Sequence, residues 1–210
     1  MTSPLEMPPA QERKLAAVMN AACRVFARRY RPDSCIAAAR VLVDVFDRLH
    51  AKVRPLAVVV DVFNPAMVTR AEAEGGRLPA DTEEYRRWIE ESGCWWLTLG
   101  GGTDPEPGKW PGHVGVVAWE SVLIDLTLPQ ATRQQRGIVL APAAVQVGRE
   151  FLDGSDRRVV MMNSSELHYQ ARPDDRSFMK SPDWCDRRRH KEVIQEILRR
   201  TRDELANHCS

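Results

Sequence analysis

The chain predicts an α+β fold in which a buried helix carrying Cys35 packs on an antiparallel β-sheet and a C-terminal helix closes the structure. Three observations carry that expectation. The run from Cys35 to about Lys52 is apolar nearly all round for its first three turns, so it belongs in a core. The β-branched runs that follow are mostly joined by short polar turns, which favours hairpins over parallel crossovers. The helical period then returns once, from Ser181 to about Asn207. With 43% hydrophobic residues in 210, the chain can bury a core in one domain, expected over 11–210 behind a short disordered lead at 1–10.

Each element has its own signal. Leu15, Val18, Met19, Ala22, Val25 and Phe26 recur at three- and four-residue spacing, which predicts an amphipathic helix over 11–29. Pro32 breaks it, and Asp33 or Ser34 is placed to cap the helix that starts at Cys35. Val53 to Phe63 reads as a strand, with Pro55 marking its start or an edge. Asn64-Pro65 opens a loop or short helix that Gly75-Gly76 ends. Asp81 to Glu91 is a surface helix with Tyr85, Trp88 and Ile89 inward. Cys94 to Leu99 is a strand, and Gly100 to Gly108 has the glycine and proline density of a loop. His113–Trp119 and Val122–Leu128 form one hairpin; Arg158–Met162 and Leu167–Ala171 form another around Asn163-Ser164-Ser165. Ile138–Leu140 is a short strand, and Ala141 to Gly148 has no clear period.

Charge and cysteine usage narrow the function classes. Thirty basic and 29 acidic residues are interleaved, which gives no electrostatic case for nucleic acid or a membrane surface as partner. No apolar run approaches the roughly 20 residues that span a bilayer. The N-terminus lacks the basic start and apolar core of a secretory signal. Five scattered cysteines, without CxxC or CxxH spacing, argue against a disulfide scaffold and a structural zinc site and point to a reducing cytoplasm. No cofactor is expected, and a metal held by Cys35, His113 and Asp125 would lack an evident fourth ligand.

Cys35 is the candidate nucleophile. A cysteine at the first position of a helix sits among unpaired backbone N–H groups at the positive end of the helix dipole, which favours a thiolate. The close carboxylate of Asp33 opposes that effect unless it turns into the cap. The base and its orienting acid are expected on one hairpin. His113 opens the first strand, and Asp125 lies inside the apolar Leu123-Ile-Asp-Leu126 of the second. An aspartate in such a run is costly unless paired. If Trp119, Glu120 and Ser121 make a three-residue loop, His113 and Asp125 share a face; a two-residue loop separates them. The odd loop is the expectation. Trp110 and the loop at 100–108 are placed to form a cleft wall, with Trp110 a candidate substrate contact. Gln11, Asn20, Tyr30 and Trp110 are weak candidates for a second oxyanion donor beside the Cys35 N–H.

Asp33-Ser-Cys-Ile-Ala-Ala38, Gly112-His-Val-Gly-Val-Val117 and Leu123-Ile-Asp-Leu-Thr127, in that order, resemble the transglutaminase-like branch of the papain-like cysteine superfamily. Arylamine N-acetyltransferases share the Cys-His-Asp order. The resemblance covers about residues 30–128. Leu126 stands where those chains usually carry proline, and Ile36 where many carry tryptophan. The resemblance implies a Cys35–His113–Asp125 triad that cleaves or transfers the acyl group of a peptide, amide or thioester through an acyl-enzyme. The alternative is a catalytically silent binding module of the same fold. Cys94, between Gly93 and two tryptophans, reads as core filler, and the Arg187–Lys191 cluster as a solvated helix face.

Overall fold

Helix α1 spans Pro9–Arg29, starting two residues before the expected 11 because proline suits the first helical position. The computed structural model describes residues 7–30, 34–101 and 110–207. Arg31, Pro32 and Asp33, most of the glycine-rich loop and residues 1–6 of the expected lead lie outside the described residues.

Helix α2, Cys35–Arg48, begins where the sequence predicts. Its buried residues run continuously from Ala37 to Leu42 and resume at Val45 and Phe46, as expected of an apolar helix. They meet Val18, Ala22 and Val25 of α1 and one face of the sheet in the first core.

Strand β1, Val53–Phe63, is the centre of the sheet. Helices α3, Pro65–Ala73, and α4, Thr82–Ser92, follow it. Their starts are capped by Asn64 Oδ1, which accepts from Met67 N at 2.9 Å, and Asp81 Oδ1, which accepts from Glu84 N at 2.8 Å. Next come β2 (Trp96–Leu99), β3 (His113–Ala118), β4 (Val122–Asp125), β5 (Ala143–Gln146), β6 (Arg157–Met162) and β7 (Ser165–Arg172). All pairings are antiparallel, in the order β5-β4-β3-β1-β7-β6, and β2 also pairs with β1.

One edge of β1 is shared end to end. Val53–Val58 pair with β3 and Val60–Phe63 with β2. His113, the first residue of β3, therefore stands midway along β1, where β2 stops. Pro55 pairs with β3 alone, because β7 joins β1 only from Ala57, so the missing N–H of proline costs no ladder bond on the other side.

The sheet faces differ. Val114, Val116 and Ala118 point to the helices. Leu56, Val58, Val60, Val62, Val117, Leu123, Leu167 and Tyr169 point to the other face, which is filled by side chains from its own strands and their loops. That face closes toward a near-barrel with its own core.

Two expectations need correction. Ile138–Leu140 is not a strand; Ile138 makes an isolated bridge to Arg133, and the strand lies in the ambiguous stretch, as β5. The closing helix is not continuous from Ser181. It divides into α6 (Pro182–Cys185), a 3-10 turn (Arg187–His190) and α7 (Lys191–Asn207). Asp186 is the break: its side chain leaves the helix to accept from Arg188 N at 3.1 Å. Between β5 and β6 lies one further short helix, α5 (Arg149–Leu152). Among the described residues no helix is long and apolar enough to cross a membrane.

Candidate active site

The β3–β4 register decides whether His113 and Asp125 meet. Val116, Val117 and Ala118 oppose Ile124, Leu123 and Val122, so Trp119, Glu120 and Ser121 form the odd loop. Trp119 and Glu120 adopt positive φ (52° and 56°), and Ser121 N donates to Ala118 O, which closes the turn and leaves Ser121 as the extra residue. His113 and Asp125 consequently share the face turned away from the helices. His113 Nε2 donates to Asp125 Oδ2 at 2.7 Å, and both side chains are buried.

Asp125 is held from several sides. Its Oδ1 accepts from Thr127 N at 3.1 Å and from Thr127 Oγ1 at 3.3 Å. The Tyr169 hydroxyl reaches Oδ2 at 3.5 Å from β7, two strands beyond β3 in the sheet order. That reach is possible because the sheet curls. Burial and then the Asp125 charge push the Tyr169 phenol far up, so it stays protonated as a donor. Burial alone would lower the His113 pKa, but the charge and hydrogen bond of Asp125, with a smaller contribution from Cys35, outweigh it and raise it.

Cys35 approaches from the opposite layer. Helix α2 crosses β1 and β3 and brings its first residue to the start of β3. The Cys35 thiol faces the Gly112 carbonyl oxygen at 4.0 Å and interacts with the His113 imidazole. With Nε2 engaged by Asp125, Nδ1 is the ring nitrogen left for the thiol. Ser34 is the residue before the helix, yet its side chain does not cap it. Instead Ser34 Oγ accepts from Gln130 Nε2 at 3.0 Å, and Ser34 N donates to Gln130 Oε1 at 3.4 Å. Gln130 lies on the turn after β4, so one loop holds both Asp125 and the tip of α2.

A cleft of about 900 Å³ opens over this group. Cys35, His113 and Trp110 line it, and Trp95, Leu97 and Leu99 add an apolar wall. The Trp110 ring folds back over Gly112, where an added Cβ would sit 2.0 Å from the indole. Gly100 permits the close approach of β2 and β3: its φ is +78°, and a Cβ there would meet Val58 O at 2.4 Å and His113 N at 2.8 Å.

The structure thus brings Cys35, His113, Asp125 and Trp110 to one site. The other oxyanion candidates lie off the cleft: Gln11 and Asn20 are on α1, and the Tyr30 hydroxyl donates to His190 Nδ1 at 2.8 Å. Gln130 and Tyr169 were not legible in the sequence. Both act through long-range placement, and neither sits in a local motif. The Arg187–Lys191 cluster is also more than a solvated face, because Arg189 lines the cleft and His190 is buried.

Burial pushes the Cys23 and Cys94 thiols up. Cys94 is buried against the Ala66 carbonyl, as core filler would be. Among the described residues no three His, Cys, Asp or Glu side chains are arranged to hold a metal ion. No family model, curated protein or solved structure matches the chain.

Proposed function

We propose that the protein is a cysteine-dependent amide or thioester hydrolase or acyltransferase of the transglutaminase-like kind. The observation that carries the reading is the His113 Nε2–Asp125 Oδ2 bond of 2.7 Å, buried beneath the cleft that Cys35 lines. Asp125 fixes the tautomer and stabilises the imidazolium. His113 holds the Cys35 proton in a thiolate–imidazolium pair, and the thiolate sulfur bonds to the substrate carbonyl carbon. The carbonyl electron pair moves to oxygen, where the Cys35 N–H at the helix tip receives it. When the tetrahedral adduct collapses, the bond to the amine or thiol breaks and His113 returns the proton to it. Water or an amine then attacks the acyl-enzyme, His113 accepts its proton, and the thiol is regenerated.

The test is iodoacetamide labelling of the intact protein at about pH 6, located by peptide mass. Cys35 should label faster than Cys23, Cys94 and Cys185, and His113→Ala should abolish the difference. A generic aryl thioester should then leave an acyl group on Cys35 that Cys35→Ser does not acquire as a thioester. Labelling of Cys35 at the rate of an ordinary thiol, insensitive to His113→Ala, would leave the silent binding module as the better account.

A further inference from the structure

We propose that the cleft selects an acyl donor that carries an anionic group, a carboxylate or a phosphate, received by the guanidinium groups of Arg133 and Arg136. This specificity rests on the Cys35 nucleophile proposed above.

The segment between β4 and β5 delivers two side chains to the cleft and a third against its Trp95 wall. Gln130 holds Ser34, Arg133 lines the cleft, and Arg136 lies over the Trp95 ring at 4.2 Å from its centroid. Trp95 itself lines the cleft. Some arginines elsewhere are matched with acids, Arg40 with Asp44, Arg77 with Glu84 and Arg200 with Glu196, and others on the exterior are not, so what marks Arg133 is its place on the cleft. The other arginine that lines the cleft, Arg189, is neutralised by Asp183 at 2.7 Å. Among the described residues Arg133 and Arg136 have no such carboxylate.

The simpler account of Arg133 is that it caps its own turn. Its Nη1 donates to Thr132 O at 2.8 Å and Gln130 O at 3.3 Å. Those bonds use one nitrogen and leave Nη2 and Nε to make a fork for an oxyanion. They also anchor the cation to the turn that grips the Cys35 helix. Arg136 uses the face of its guanidinium on Trp95, so its N–H edge is left for a ligand. The apolar wall of Leu97, Leu99 and Trp110 suits the carbon chain between that anion and the reacting carbonyl.

The test uses two alkylating probes on the full chain, with Cys185 and Cys209 replaced by serine to clear the background. Iodoacetate is anionic and iodoacetamide neutral; in each case the Cys35 thiolate forms a sulfur–carbon bond as iodide leaves, and the proton stays on His113. The ratio of the two rate constants should fall about threefold in Arg133→Gln or Arg136→Gln, and about tenfold in the double variant. Added salt should lower the wild-type ratio. A ratio that is the same in wild type and the double variant overturns the anion site. Cys35 labelling that does not depend on His113 removes the nucleophile, and the specificity with it. Three thioesters, with acyl chains ending in carboxylate, phosphonate or methyl, then identify the anion. The faster of the first two names the class, and equal turnover of the methyl-ended chain rejects the proposal.

Discussion

The Gln130 side-chain amide grips Ser34 at two points, through Nε2 to Oγ at 3.0 Å and through Oε1 from the backbone N–H at 3.4 Å. Ser34 immediately precedes Cys35, and Gln130 follows Asp125 by five residues. The clamp therefore fixes the nucleophile on the helix layer relative to the acid on the sheet. Gln130→Ala should slow iodoacetamide labelling of Cys35 by about tenfold while lowering stability by about 1–3 kcal/mol, the worth of two net hydrogen bonds. Parallel measurement of labelling rate and thermal midpoint checks it. Equal fractional loss in both would assign Gln130 to folding rather than positioning.

His113 makes stability depend on pH in a defined direction. Its pKa is raised in the folded state by Asp125 from an ordinary value of about 6.5. The imidazolium therefore contributes stability fully below that value, and the contribution is lost as pH rises toward and through the raised folded value. The wild-type thermal midpoint should decline above about pH 6.5 by more than that of His113→Gln. A titration of both proteins by calorimetry across neutral and alkaline pH reads the difference. Parallel curves would mean that the imidazole is not held as a cation.

Much of this site was legible as a pattern before any coordinates. The start of α2 follows from the Pro32 break and the apolar run after Ser34. The His113–Asp125 pairing follows from parity once the hairpin loop is odd. Parity says nothing of Tyr169, which reaches Asp125 only because the sheet curls, and curvature is not written in the alternation of one strand. β5 was missed for a related reason. Ala143 and Val145 are buried while Ala144 and Gln146 are exposed, but alternation between two alanines leaves no hydropathy contrast. The split of the C-terminal helix depends on Asp186 using its side chain on the nearby Arg188 N–H, a local choice that a continuous apolar stripe conceals.

Gly100 limits how closely β2 can lie to β3. A Cβ would collide with two backbone atoms, Val58 O and His113 N, neither of which can swing aside. The residue also needs φ of +78°. Gly100→Ala should cost about 3 kcal/mol and shift the thermal midpoint down by about 6–12 °C. It should also lower Cys35 labelling, because the strand that carries His113 must move. Gly75→Ala, at φ of +72° with nothing within 4 Å, is the control: it bears the backbone strain without the collision and should leave labelling unchanged. Loss of labelling in both would detach the effect from β3.

Arg40 ties α2 to the cleft wall. It is 5% exposed, its Nε donates to Asp44 Oδ2 at 3.2 Å, and its guanidinium lies 5.1 Å from the centroid of the Trp184 ring on α6. Ser181, Pro182 and Asp183, just before that tryptophan, line the cleft. Removing the cation leaves a poorly solvated carboxylate and frees Trp184, so Arg40→Ala should destabilise by about 3 kcal/mol. Arg40→Ala with Asp44→Ala should be less destabilised than Arg40→Ala alone, because the orphaned charge is gone. Denaturant unfolding of the three proteins measures the difference. A double variant at least as unstable as the single one would place the contribution of Arg40 in its packing on Trp184 rather than in the ion pair.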